Sequence, residues 1–305
     1  MRESGLMAKR YLTVFIVTLG CCALVAMTRT QLPTPTAFPS NTTRHALVSL
    51  LSVEGPQAWW SQQKYVAAAE KLAKSFRKHS TMDMVLLVVD EFGALRKKEE
   101  RRLEASGWTV HRMRKGIMPQ YSRGEWNRYF TAKLFSKLWI WRLALYEQIL
   151  YTDLDTLFIH SPDQLFHMRT SSQNPGMVLD PTKKHYYNAG VILLRPSEDE
   201  YQRLISAMDS YEHHGETAEQ DFLNIFYHGR IVQLDPRFNR QVCAEETKGC
   251  INDRSIGPVK SFAESDTAAG TVILHFTGSN KPWHMENCVK ESITMLCLFW
   301  KHYGY

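Results

Sequence analysis

Short apolar runs alternate with helical patterns through the first half of the chain. Residues 45–53 are apolar enough for a strand, and Tyr65, Ala69, Leu72 and Phe76 then recur at helical spacing. An apolar run at 84–89, a charged helical stretch at 96–105 and a further strand-like run at 108–113 follow. Parallel strands need a long return connection, and a helix supplies it, so this alternation predicts a parallel sheet with crossover helices. A long helical pattern over 126–146 leads into a strand at 148–152. The later chain suggests strands near 191–194, 231–234 and 272–276, with helices near 198–210, 218–227 and 289–302. The expected fold class is therefore α/β: a single domain over 44–305 with a Rossmann-like, mostly parallel central sheet flanked by helices.

Composition narrows the class of partner. With 37 Lys+Arg against 31 Asp+Glu the formal charge is +6, and 44% of the 305 residues are hydrophobic. That is enough apolar surface for a sizeable core, which excludes disordered and collagen-like chains. The positive excess is spread along the chain rather than gathered in a stripe, so no nucleic-acid partner is expected. An anionic substrate suits it equally well.

Before the folded part lies a distinct N-terminal organisation. Tyr11 to Met27 carries no charged residue and is about 17 residues long, the lower limit for a helix that crosses a bilayer. Arg2, Lys9 and Arg10 precede it and outnumber Glu3, which would hold residues 1–10 in the cytosol and send the rest into the lumen. The competing reading is a cleaved signal peptide, since Cys21-Cys22-Ala23 offers a small-residue cleavage site. Residues 28–43 are rich in Pro and Thr and read as an extended stem. Asn41-Thr42-Thr43 within it is an N-glycosylation acceptor. Beyond the apolar segment stand Cys243, Cys250, Cys288 and Cys297, an even number that permits three pairings. Proximity favours Cys243 with Cys250 and Cys288 with Cys297 in an oxidising lumen, four buried thiols being the other reading. Neither spacing is that of a structural zinc site.

In open α/β sheets ligands gather where strands end. Tyr151-Thr152-Asp153-Leu154-Asp155-Thr156 stands at such a place. Carboxylates two apart in extended chain point to one side, so Asp153 and Asp155 can share one divalent ion, and oxygen-rich ligation suits Mn²⁺ or Mg²⁺. Downstream, His275-Phe276-Thr277-Gly278-Ser279-Asn280-Lys281-Pro282-Trp283 breaks a strand into a glycine turn with a lysine. There His275 can add an imidazole, Gly278 can let backbone amides approach phosphate, and Lys281 can neutralise charge. Asn188-Ala189-Gly190-Val191 and Glu219-Gln220-Asp221 lie between these motifs.

The order D-x-D, N-A-G-V, E-Q-D, H-F-x-G-x-x-K-P-W, from about Arg44 to Trp283, resembles glycosyltransferase family 8, the glycogenin-like retaining transferases with a GT-A fold, here in a type II membrane-anchored form. The resemblance implies a Mn²⁺-dependent transfer from a UDP-sugar donor to a glycan or glycoprotein acceptor, in the Golgi membrane with the catalytic domain luminal. It implies Asp153, Asp155 and His275 as metal ligands, and Gly278 and Lys281 as phosphate contacts. Tyr65 corresponds to the tyrosine that stacks on uracil, although the family's L-T-N-D-x-Y approach is replaced by Leu51-Ser52-Val53-Glu54 and a longer loop with Trp59-Trp60. Those two tryptophans could line an acceptor groove or plug the sheet edge. Lys133 in Thr131-Ala132-Lys133-Leu134 matches the T-x-K-L lysine that reaches the donor. Leu154, Asn188 and Ala189 belong to the donor-binding motifs. Asp180 and Gln220 fall at positions that hold the donor sugar, and Glu219 stands where glycogenin has Asp; these three form the catalytic set. The resemblance also leaves room for a homodimer, for a self-glucosylating protein and for an inactive glycan-binding relative.

Overall fold

The structure is a computed structural model that describes residues 44–53, 59–119, 134–211, 218–243, 251–252, 270–277 and 281. All of these fall in the second of two compact units, residues 41–305. The apolar segment at 11–27, the stem with its Asn41 acceptor, the helical pattern at 289–302, Lys133, Gly278, Cys250, Cys288 and Cys297 lie outside the described residues. Among the described residues no helix is long and apolar enough to cross a membrane.

The N-terminal half follows the expected alternation. Strand β1 (His45–Ser52) is followed by helix α1 (Trp59–Arg77), β2 (Asp83–Val89), α2 (Lys97–Ala105), β3 (Thr109–Met113) and β4 (Gln148–Thr152). Strand β1 pairs in parallel with both β2 and β4, and β2 pairs in parallel with β3. Central parallel strands are covered on both faces, so every residue of β2 after Asp83 is apolar and buried, and β1 buries Ala46, Leu47, Val48 and Leu51. Each such aliphatic side chain contributes about 1.5–3 kcal/mol on burial. Phe76, Leu72 and Ala69 of α1 are fully buried at the helical spacing read from the sequence.

The helix expected over 126–146 is corrected where it is described. From Ser136 the backbone is 3₁₀, and it stops at Arg142. Apolar residues are too dense here for one amphipathic face: Phe135, Leu138, Ile140 and Trp141 are all buried. The tighter winding turns side chains inward on several sides at once.

The chain then leaves the parallel pattern. After β5 (Thr156–Phe158), β6 (Gly176–Leu179) and β7 (Tyr187–Leu194), β7 inserts antiparallel between β4 and β6. Helix α3 (Glu198–Met208) is capped by Ser197, whose Oγ accepts the Glu200 N–H, and carries three acids in its first turn. Helix α4 (Ala218–Phe226), β8 (Val232–Gln233), β9 (Arg240–Cys243), β10 (Ile251–Asn252) and β11 (Ile273–Phe276) complete the described elements. The larger sheet has the order β3-β2-β1-β4-β7-β6-β8, and a smaller one has the order β10-β9-β11-β5. Sequence reading missed β5, β6, β9 and β10, each of two to four residues and too short to show a period.

This topology positions the site. Because β7 runs against β4, its first residues lie beside the end of β4, with Thr152 opposite Val191. The chain leaves the larger sheet at Thr152 and enters the smaller one at Thr156. Asp153-Leu154-Asp155 is the turn between them.

Candidate active site

Asp153 and Asp155 are not in extended backbone as the sequence suggested; Leu154 and Asp155 form a turn. The carboxylates nonetheless converge, because each residue is tied to a different sheet. The Asp153 N–H donates to the Gly190 carbonyl of β7 at 2.8 Å, whereas the Asp155 carbonyl accepts the Phe276 N–H of β11 at 2.9 Å. Leu154 between them is buried and anchors the turn in the core.

The third expected ligand arrives with β11. Ligand atoms of Asp153, Asp155 and His275 all lie within 4.8 Å of one another, and this is the group of its kind found among the described residues. His275 Nε2 is 3.3 Å from Asp155 Oδ1, and the ring is buried. It can be there only because residue 190 is glycine: a Cβ on Gly190 would meet His275 Cε1 at 2.1 Å. Two carboxylates and an imidazole from a mostly buried turn are a donor set for a divalent cation of the Mn²⁺ or Mg²⁺ kind. Lys281 reaches the same place, its ammonium bonded to Asp155 Oδ2 and to the Phe276 carbonyl. Burial works against the charges of Lys281 and Asp155, but their attraction outweighs it, holding Lys281 above the usual lysine value and Asp155, helped by His275, below the usual carboxylate range. Tyr65 also belongs here. Burial raises its phenol above the ordinary value, and it feels Lys281 and Asp155 electrostatically, while its side chain keeps 36% exposure. Trp59 and Trp60 fall in the first turn of α1, and their side chains lie outside the described residues.

On the other side of the turn stands a residue that sequence reasoning missed. Lys137 is buried at 4% exposure and donates to Glu219 Oε1 and to the Ala189 carbonyl, both at 3.0 Å. It also lies 3.2 Å from Asp153 Oδ1 and 5.1 Å from the centre of the Tyr151 ring. Tyr151 in turn donates its hydroxyl to Asp153 Oδ1 at 2.7 Å. Burial opposes the Lys137 charge, yet Asp153 and Glu219 outweigh it and hold the ammonium above its usual range. The signal was present as a lysine in an otherwise apolar stretch, Ser136-Lys137-Leu138-Trp139-Ile140-Trp141.

The amide and carboxylate cluster expected around a sugar is assembled as well. Gln220 Oε1 accepts the Ala189 N–H at 2.8 Å, which fixes the amide at the start of α4. Asn224, one turn later, exchanges two hydrogen bonds with the Tyr187 backbone and so locks α4 to the start of β7. Asp180 Oδ1 accepts from the amide and hydroxyl of Thr182, and its Oδ2 is 3.4 Å from Asn188 Nδ2. Glu219 is drawn back by Lys137 through Oε1, while its Oε2 is buried without a hydrogen-bond partner.

A model of the family described as glycosyl transferase family 8 matches residues 58–287. Among curated proteins, UDP-glucuronate:xylan alpha-glucuronosyltransferase 1 of Arabidopsis thaliana is 29% identical over 168 residues, 54% of this chain and 23% of that protein. Glycogenin-1 of Caenorhabditis elegans is 29% identical over 154 residues, 49% of this chain and 32% of its own length. The chain thus spans about a quarter to a third of the curated relatives it matches. The solved galactosyltransferase LgtC with donor and acceptor sugar analogues superposes with a TM-score of 0.57 at 15% identity, covering 85% of this chain and 94% of that one. GlyE of Streptococcus pneumoniae TIGR4 gives 0.58 at 18% identity, covering 85% and 60%. These likenesses show an α/β GT-A-like fold with a mixed, mostly parallel central sheet, as the sequence led us to expect.

Proposed function

The chain belongs to glycosyl transferase family 8, and on that premise we propose that it moves a sugar from a UDP-sugar onto a glycan or glycoprotein with retention at the anomeric carbon, in a Mn²⁺- or Mg²⁺-dependent reaction. One observation carries the reading: Asp153, Asp155 and His275, drawn from two sheets, meet beside Lys281 and across the turn from Lys137, Glu219 and Gln220. A divalent cation bound by the two aspartates and the histidine would supply Lewis-acid neutralisation of the departing diphosphate.

The chain's own groups do the rest. Lys281 sets a fixed positive charge where negative charge develops on the leaving phosphate, and a preorganised charge of this kind costs no reorganisation during the reaction. Tyr65 offers a half-exposed ring at the same mouth for the uracil. Asp180 Oδ2 and Asn188 would orient sugar hydroxyls, and a hydroxyl proton would also satisfy Glu219 Oε2. Gln220 keeps its carbonyl on Ala189, which leaves its NH₂ as the group that would meet the sugar. An amide is a poor nucleophile, so we infer same-face attack: the acceptor oxygen bonds to the anomeric carbon as the bond to UDP breaks, and the leaving phosphate takes the acceptor proton.

We further propose that residues 11–27 anchor the chain as a type II Golgi protein with the catalytic domain luminal, cleavage to a secreted form being the competing outcome. The uncharged run behind Arg2, Lys9 and Arg10 and the Asn41 acceptor support this reading. The deciding assay is UDP release across a panel of UDP-sugars, with Mn²⁺ or EDTA and with or without a glycan acceptor. Cation-dependent, acceptor-stimulated release supports transfer. Sugar release to water alone indicates a hydrolase, and silence with every donor sinks the enzymatic reading.

A further inference from the structure

Behind the expected ligands runs a chain of buried amides whose connecting member, Asn239, none of the motifs contains. His275 Nδ1 lies 2.9 Å from Asn239 Oδ1, Asn239 Nδ2 donates to Asn188 Oδ1 at 2.9 Å, and Asn188 Oδ1 also accepts the Gly190 N–H at 2.9 Å. Asn188 Nδ2 faces Asp180 Oδ2 at 3.4 Å. Asn239 and His275 are each 3% exposed, so water does not arbitrate between them.

The direction of every bond in this chain follows from one fixed point. A backbone N–H can only donate, so the Asn188 atom facing Gly190 must be its carbonyl oxygen. That oxygen also faces Asn239, so Asn239 must turn its NH₂ toward it; the flipped amide would set two oxygens against each other in a dry site. The Asn239 oxygen is then left facing Nδ1 of His275, which must carry the ring proton. Nε2, the nitrogen beside Asp155, is then the one left to face a cation.

We infer that Asn239 is a positioning residue: it fixes His275 as the Nδ1–H tautomer, presents Nε2 as the cation ligand, and links that ligand to the Asn188–Asp180 pair at the sugar. The inference rests on Asp153, Asp155 and His275 as the cation's ligands. The local sequence suits the task. Asp235 Oδ1 accepts the Arg237 N–H, Pro236 stands in the first turn, and Phe238 is buried, so the 3₁₀ turn Pro236–Asn239 is rigid where it hands Asn239 to the site. Partners of a ligating histidine's second nitrogen fix its tautomer and orientation, and their loss costs about 10–100-fold in metal affinity.

Two variants test it in the full-length chain. Asn239→Ala is expected to weaken Mn²⁺ binding about 10–100-fold, read as free aquo-Mn²⁺ by electron paramagnetic resonance. In metal-free ¹⁵N-histidine spectra, with the His275 signal assigned by its loss in His275→Gln, the same variant should give up the Nδ1–H pattern of the wild type. Asn239→Asp keeps an acceptor for Nδ1–H but loses the donor to Asn188; it should hold Mn²⁺ within a few-fold of wild type (~2–5-fold) while the KM for the UDP-sugar rises. Should the alanine variant fail to fold, the aspartate variant decides. An alanine variant that binds Mn²⁺ like wild type, a wild-type His275 with no proton on Nδ1, or an aspartate variant as impaired in Mn²⁺ binding as alanine overturns the inference. A wild-type chain that takes up no Mn²⁺ overturns the cation reading as well, which separates the two failures.

Discussion

The two aspartates of one turn live in different surroundings. Asp153 faces inward to the larger sheet, where Tyr151, Lys137 and, through that lysine, Glu219 surround it. Asp155 faces the smaller sheet, where His275 and Lys281 hold it. The inner flank is an ion triad in which Lys137 and Glu219 are buried while Asp153 stays partly exposed, and its lysine is committed to protein carboxylates. The outer flank carries its lysine at the mouth, within reach of Tyr65 and hence of a ligand. Similar charges thus do different work: Lys137 holds the scaffold in one geometry, and Lys281 is the one placed where a ligand would enter.

Removing a carboxylate from either flank should have the largest effect. Asp153→Asn and Asp155→Asn are each expected to lower kcat/KM about 10³-fold, the scale of several kcal/mol of lost charge stabilisation, measured as UDP release. If only one of them does so, the turn is not a shared clamp. Lys137→Met separates the flanks. It leaves Asp153 and Glu219 uncompensated in a buried site and should destabilise the fold by about 3–5 kcal/mol in urea unfolding, with Glu219→Gln in the same chain recovering part of the loss. Gly190→Ala strikes the His275 ring of the outer flank first and Asn188 Oδ1 beside it. The His275 ring must leave, so Mn²⁺ affinity should fall about 10–100-fold in calorimetry while the inner triad keeps its stability. Gln220→Ala should slow transfer by roughly tenfold without abolishing it, one tenfold being about 1.4 kcal/mol of barrier; complete loss with intact UDP binding would argue for a covalent step.

The smallest effect concerns a buried lysine in the opposite situation to Lys137. Burial and the neighbouring Lys74 pull Lys71 of α1 down to about 8, with Glu70 acting against them. Between about 8 and the ordinary lysine value of ~10.4 the unfolded chain binds a proton that the folded chain does not, so stability should rise with pH across that window. Below it the cost of the buried charge is fully present. Lys71→Met should therefore raise Tm by about 2–4 °C at neutral pH and flatten the rise, in scanning calorimetry at two pH values.

The inner flank was the harder one to read from sequence. Strands β1, β2 and β4 and helices α1 and α2 were legible because they are long enough to show their periods. The motif residues of the outer flank were legible because D-x-D and the segment from His275 to Lys281 each carry their chemistry within a few positions. Lys137 was hidden by an apolar 3₁₀ stretch that imitates an amphipathic helix. Asn239 was hidden because a single asparagine after a proline turn reads as a loop. Both act through distant partners as well, Glu219 82 positions from Lys137 and His275 36 positions from Asn239, across strands whose register no local pattern encodes.

The turn between the sheets acts as a caliper. Its two arms are clamped to separate frames, one through Gly190 and the other through Phe276, so any slippage between the frames is read out as a changed gap between Asp153 and His275. Positions such as Val242 of β9, whose carbonyl accepts the Thr277 hydroxyl just past the histidine, can then reset that gap without touching a ligand. The jaw setting of the site is open to adjustment from its periphery.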